Sequence, residues 1–207
     1  MGPITQLRAG KLCRRFTQLI VGLSFFGLSM SMMIRGNLGV APWDALHVGL
    51  AHHLPLSFGS VVIILSFVVL LIWVPLREMP GIGTLANAIL IGAVADLGLN
   101  FISQPDPMIE RLALTVGGVL LCALGSALYI GAQFGRGPRD GLMTGFNRVT
   151  GRPLWLVRTV LEVLVLIAGV MLAGLSVLGI GTLLFALFIG PLTPLMLPWA
   201  LVKVSPQ

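Results

Sequence analysis

Apolar residues fill six stretches long enough to cross a bilayer, roughly 16–34, 58–76, 82–102, 112–132, 154–174 and 179–200. A crossing helix takes ~20 residues at about 1.5 Å each. Two further segments, 37–54 and 133–151, break the pattern. Both are short, interrupted by Gly and Pro, and too polar to face lipid; the second carries Arg136, Arg139, Asp140, Asn147 and Arg148. Irregular backbone survives at membrane depth only where protein buries it or water lines it. The pattern predicts an all-α polytopic membrane protein with six long helices and two short, broken ones.

The chain also repeats itself. Gly81-Ile82-Gly83-Thr84-Leu85 recurs letter for letter as Gly179-Ile180-Gly181-Thr182-Leu183, 98 positions on. Gly39, Pro42, Asp44, Leu46 and Gly49 recur at a spacing of 96 as Gly135, Pro138, Asp140, Leu142 and Gly145. In the first apolar stretch Gly22, Leu28 and Ile34 match Gly118, Leu124 and Ile130. We therefore expect one integral membrane domain over 1–207, with repeats at 16–102 and 112–200. The linker, 103–111, holds Pro105, Asp106, Pro107, Glu110 and Arg111. Many transporters are built from two such halves, and short interrupted segments at matching places point to their site. Pro42 and Pro138 suit the first turn of a helix, where a missing N–H does no harm. The helix after each could run ~12 residues, about 18 Å, which is part of a membrane.

Two topologies fit. If the broken helices re-enter, each repeat has three long spans and the repeats are inverted. If they cross, each has four spans, eight in total, and the repeats are parallel. Re-entry puts Arg77, Arg136, Arg139, Arg148 and Arg152 in the cytoplasm and leaves chiefly Arg35 and Arg111 outside. The positive-inside rule favours that arrangement. Arg8, Lys11, Arg14 and Arg15 precede the first span and place the N-terminus in the cytoplasm. That span is long enough to be retained, and no small-x-small cleavage site follows it, so it reads as a helix and not a secretory signal.

Composition agrees. Of 207 residues 57% are hydrophobic and 10% charged, and mean hydropathy is +1.01. A water-soluble domain carries about a quarter charged residues. The net charge of +6 belongs to the membrane flanks, so no nucleic-acid partner is expected. Cys13 and Cys122 form neither a disulfide framework nor a metal spacing, and His47, His52 and His53 lack a further ligand. With no phosphate loop, nucleophile elbow or His-Glu-x-x-His, no enzyme activity and no cofactor are expected. Trp43, Trp73, Trp155 and Trp199 fall near segment ends, as interfacial aromatics do.

Candidate chemistry gathers at the broken segments. Asp44 and Asp140 each lie two residues after a proline. There they suit either helix capping or direct contact with a solute, ion or proton. Arg136 and Arg139 flank Pro138 and make an anion-binding corner, or else pair with the aspartates or anchor the cytoplasmic side. Arg158 and Glu162 share a face of the fifth long span, with Ser60 and Ile64 their counterparts at a spacing of 98. Asp96, Asn87 and Asn100 lie on the third, Asp96 near enough its end to reach the interface. The substrate- or ion-binding candidates are Asp44, Asp140, Pro42, Pro138, Arg136, Arg139, Arg158 and Glu162.

Gly39-x-x-Pro42-Trp43-Asp44, followed by Ser57-Phe58-Gly59 and the Gly-Ile-Gly-Thr-Leu stretch, resembles the YczE family of bacterial integral membrane proteins. The similarity to YitT-type proteins is more distant. The resemblance covers the chain beyond its basic N-terminus and implies a multi-pass protein of a bacterial plasma membrane. Val40 and Trp43 are matched by Arg136 and Arg139, so the two halves differ at the candidate site. The leading expectation is a small secondary carrier or exporter-like protein whose unidentified solute binds between the repeats. The alternative is a non-transporting scaffold for a partner enzyme or biosynthetic complex. Its surroundings are the lipid bilayer, and a homodimer is compatible with its size.

Overall fold

A computed structural model describes Gln6 and residues 10–204, so Arg8 lies outside the described residues. The described residues form eight α-helices and one 3-10 turn. They are α1 (Leu12–Gly36), α2 (Pro42–His53), α3 (Phe58–Trp73), α4 (Ile82–Phe101), α5 (Met108–Gly131), α6 (Pro138–Thr150), α7 (Leu154–Ala173) and α8 (Ile180–Ala200), with the turn at Leu175–Val177. Five of them, α1, α4, α5, α7 and α8, are long and apolar enough to cross a membrane. The pair α2 and α3 adds a sixth if taken as one span, but it bends by 115° at its break. This is an all-helical membrane protein.

Local sequence explains the ends. Pro42 and Pro138 open α2 and α6, which run 12 and 13 residues. Ser57 caps α3 by accepting the Ser60 N–H at 3.1 Å. Asn37 ends α1 in the left-handed region at φ 50, and Gln133 takes the same turn after α5 at φ 58. Gly39 and Gly135, two residues further on, are also left-handed, at φ 99 and 114. Both breaks therefore use one backbone device, for which glycine carries no steric penalty.

The centre of the molecule is α1 packed antiparallel on α5. Gly22 near the middle of α1 abuts Gly125 and Tyr129 late in α5, whereas Gly36 at its end abuts Arg111 and Thr115 near the start of α5. Glycines let these backbones approach, which is how helices associate where lipid supplies no hydrophobic drive. Around this pair α4 packs on α1 and α8 on α5, while α2 lies along α7 and α6 along α3. Gly83 N–H donates to the Phe134 carbonyl at 2.8 Å, and Gly181 N–H to the Leu38 carbonyl at 2.7 Å. Positions 98 apart thus donate to positions 96 apart.

Two arginines continue that pairing. Arg15, with no exposed surface, donates from Nε to the Ala132 carbonyl at 2.8 Å and from Nη2 to the Gln133 carbonyl at 3.0 Å. Arg111 donates from Nε to the Gly36 carbonyl at 3.0 Å and from Nη2 to the Asn37 carbonyl at 2.5 Å. Each guanidinium closes the C-terminal end of the opposite central helix, where carbonyls lack helical partners. Arg15 is thus more than a basic flank and Arg111 more than a linker residue.

The tryptophans correct an expectation. Trp155 and Trp199 are exposed, but Trp43 and Trp73 are buried and not interfacial. Trp73 lies directly on Gly141 of α6, where a Cβ would overlap its ring, and its Nε1–H donates to the Pro138 carbonyl at 3.0 Å. The partner helices leave room for an indole there. Gly169 of α7 makes the corresponding close approach to Ala45 of α2.

Candidate functional site

The breaks bring the N-termini of α2 and α6 to one central cavity of about 220 Å³. Pro42 and Trp43 line it from α2, and Pro138, Arg139 and Asp140 from α6. Helix starts carry free N–H groups and partial positive charge, so such a meeting point is suited to polar ligands. The remaining walls come from Phe26 on α1, Val62 and Ser66 on α3, Asn87 and Ile91 on α4, Ser126 and Tyr129 on α5, Arg158 and Glu162 on α7, and Phe185 and Ile189 on α8.

Asp44 stands just behind this lining. It is 3% exposed, and its Oδ1 lies 3.6 Å from Arg139 Nη2 and 3.6 Å from His47 Nδ1. Neither separation is a hydrogen bond, and Oδ1 has no hydrogen-bond partner. The Arg139 guanidinium also lies over the Trp43 ring, 5.1 Å from its centroid. Trp43 Nε1 is buried and likewise unpartnered. Arg139 is therefore held by a carboxylate and an aromatic face, without a directed bond to Asp44.

Asp140 is held differently. The Tyr129 hydroxyl donates to its Oδ2, and a Cβ on Gly137 would sit against the same carboxylate and the Asn87 amide. The capping role considered for the aspartates is taken by neither Asp44 Oδ1, which has no hydrogen-bond partner, nor Asp140 Oδ2, which is bonded to Tyr129. Arg158 and Glu162 pair along α7 with Nε and Oε1 2.9 Å apart, at the cavity wall. Arg136 turns out of the site. Its Nη1 donates to Thr144 Oγ1 at 2.9 Å on the exposed side of α6, and its backbone carbonyl accepts from Thr84 Oγ1 at 2.6 Å.

Of the candidates named from sequence, Pro42, Pro138, Arg139, Asp140, Arg158 and Glu162 thus share the cavity, Asp44 backs it, and Arg136 does not reach it. Of the counterparts assigned to Arg158 and Glu162, Ile64 is half exposed and neither it nor Ser60 lines the cavity, whereas Val62 and Ser66, 96 residues before the pair, do. Leu76 and Leu172, also 96 apart, meet Gly145 and Gly49.

Asp96 has a different task from Asn87. It reaches across to the start of α3, where Oδ2 accepts from Ser57 Oγ at 2.5 Å and Oδ1 from the Gly59 N–H at 2.6 Å. Tyr129 was missed in the sequence although it is the chain's one tyrosine. A polar residue late in an apolar helix shows its direction only once the crossing of α1 and α5 is known. Among the described residues no three His, Cys, Asp or Glu side chains gather as a metal site would require.

Residues 13–198 match a family described as a family of unknown function (DUF6198). The chain belongs to that family. It is 34% identical to the uncharacterized membrane protein YczE of Bacillus subtilis, over 91% of this chain and 87% of that protein. An uncharacterized protein of Haemophilus influenzae is 35% identical over 83% of this chain and 78% of its own length. The uncharacterized protein YyaS of Bacillus subtilis is 29% identical over 86% and 90%. No solved structure matches the chain. Family membership accords with the Gly-x-x-Pro-Trp-Asp and Gly-Ile-Gly-Thr-Leu segments, which here form the break before α2 and the start of α4. YczE's name speaks of a membrane protein, in keeping with the helices of this family member.

Proposed function

We propose that this protein is a small secondary carrier or exporter of a bacterial plasma membrane, built from two inverted repeats with a cytoplasmic N-terminus. The observation that carries the reading is the convergence of two broken-helix N-termini on one cavity that also holds charged side chains inside an apolar bundle. Irregular backbone and ionisable side chains at that depth are costly, and lining a solute path accounts for both.

The pairing of contacts supports the inverted arrangement. Parallel repeats with eight crossings would set α1 and α5 running the same way, whereas they pack antiparallel. With six crossings α2 and α6 re-enter from opposite faces and meet where the cavity lies. Alternating access would rock α3 and α4 with α6 against α7 and α8 with α2, moving the opening from one face to the other. The solute is small, since 220 Å³ falls below the cavities that hold drug-sized ligands. No bond is made or broken under this reading.

The test is electrogenic and tracer flux in proteoliposomes across a panel of small solutes. The carrier reading expects saturable flux for one class, lost in Asp44→Asn and Asp140→Asn while both variants stay folded. Function in the native membrane that survives both substitutions but is abolished by changes on a partner-binding surface would contradict it and favour a scaffold.

A further inference from the structure

The cavity already contains a cation of its own, and how that cation is held indicates the class of solute. The guanidinium of Arg139 lies over Trp43 with its carbon 5.1 Å from the ring centroid, and 3.6 Å from Asp44 Oδ1. An indole face and a buried carboxylate together make a site for an organic cation, because the ring quadrupole and the negative charge attract the same group. A small inorganic cation would prefer a cage of oxygens.

We infer that the solute is a small organic cation, a primary ammonium or a guanidinium, and that it takes the place now held by Arg139. The inference rests on the carrier reading of the same cavity. Three features point to a resident that can leave. Arg139 makes no hydrogen bond to Asp44, whose Oδ1 is 3% exposed as part of that residue yet unpartnered. The Arg139 side chain keeps 24% of its surface exposed, so it has room to withdraw. The other charged groups are already engaged, Asp140 with the Tyr129 hydroxyl and Glu162 with Arg158.

Charge agrees with the assignment. Asp44, Asp140 and Glu162 stand against Arg139 and Arg158, which leaves one carboxylate in excess when all are ionised. A monocation entering while Arg139 swings outward leaves that count unchanged and takes over the neutralising place at Asp44. Position 43 and position 139 correspond at the spacing of 96, so one half supplies the aromatic face and the other the tethered cation. The halves differ here because one half's site is occupied by the other half's arginine.

The experiment is equilibrium binding of radiolabelled methylguanidinium, with propionate as the anionic probe, to the full-length protein in nanodiscs. The wild type is expected to bind methylguanidinium saturably and to ignore propionate. Arg139→Gln should bind it about tenfold more tightly, the gain from removing a resident that fills the site nine-tenths of the time. Trp43→Leu and Asp44→Asn should lose it. Binding by Arg139→Gln with none by the wild type would overturn the inference and make Arg139 a fixed structural residue. Propionate binding that requires Arg139 would overturn it in favour of an anion. If Arg139→Gln fails to elute as a monodisperse species, the two probes on the wild type decide alone. Because binding is read without flux, a chain that binds the cation yet never moves it fails only as a carrier. A chain that moves an anion fails only this inference.

Discussion

Arg15 and Arg111, 96 residues apart, make the same pair of bonds to the same two places of the opposite helix. Nε reaches the carbonyl of Ala132 or Gly36, and Nη2 that of Gln133 or Asn37. Each arginine thereby fixes the point at which the backbone leaves a central helix and turns toward the cavity.

Replacing Arg15 with Ala should lower stability sharply, because the buried Ala132 carbonyl loses its donor at roughly 1–3 kcal/mol and the part-buried Gln133 carbonyl loses one as well. Arg15→Lys should recover little, since an ammonium cannot reproduce the planar fork. Arg111→Ala should cost less, as its bonds lie nearer the surface. Thermal unfolding of the detergent-solubilised variants checks the order.

Asp96 holds the start of α3 against α4 through Ser57 and the Gly59 N–H. Asp96→Ala should therefore destabilise by about 1–2 kcal/mol, the value of a lost cap, with Asn intermediate. The same unfolding measurement reads it. Equal effects of Ala and Asn would show that the negative charge, rather than hydrogen bonding as such, is what the helix start needs.

On the other side of the bundle this clasp is missing. Gly59 and Gly92 bring α3 and α4 into direct contact, whereas 96 and 98 positions further on stand an exposed Trp155 and a Gly190 on which a Cβ would meet no other element within 4 Å. Gly190 lines the cavity. If α7 and α8 close as α3 and α4 have, Gly190→Leu will abolish flux in protein that still elutes as a monodisperse species. Retained flux would show that this pair does not close.

Gly141 gives the complementary case. Even one methyl there overlaps the Trp73 ring, so Gly141→Ala should destabilise by about 1–3 kcal/mol through overpacking. Gly117→Ala, where the one atom within 4 Å of a new methyl is the movable end of Met32 at 3.0 Å, should cost much less. A large difference between the same substitution at these two sites, read by unfolding, tests the packing directly.

Much of this was legible before the fold. Helix-opening prolines fixed α2 and α6 to within a residue or so, because a missing N–H and a set φ act locally. The broken segments pointed to the cavity for the same reason. Harder to read was anything that depends on which helices cross. Arg15 and Arg111 already stood at the spacing of 96, yet their targets lie over 70 residues away in the chain. Trp73 looked interfacial until α6 was found to present Gly141 to it. Tyr129 and Ser66 carried no signal beyond polarity, since a helix's facing residues follow from its neighbours.

The central claim is that the cavity opens alternately to the two sides of the membrane. Ala41 and Gly137 both line it, at the starts of α2 and α6. With Cys13 and Cys122 replaced, Ala41→Cys and Gly137→Cys should each react with a membrane-impermeant thiol reagent in right-side-out and in inside-out vesicles. Reaction from one side only, or from neither, would contradict the account.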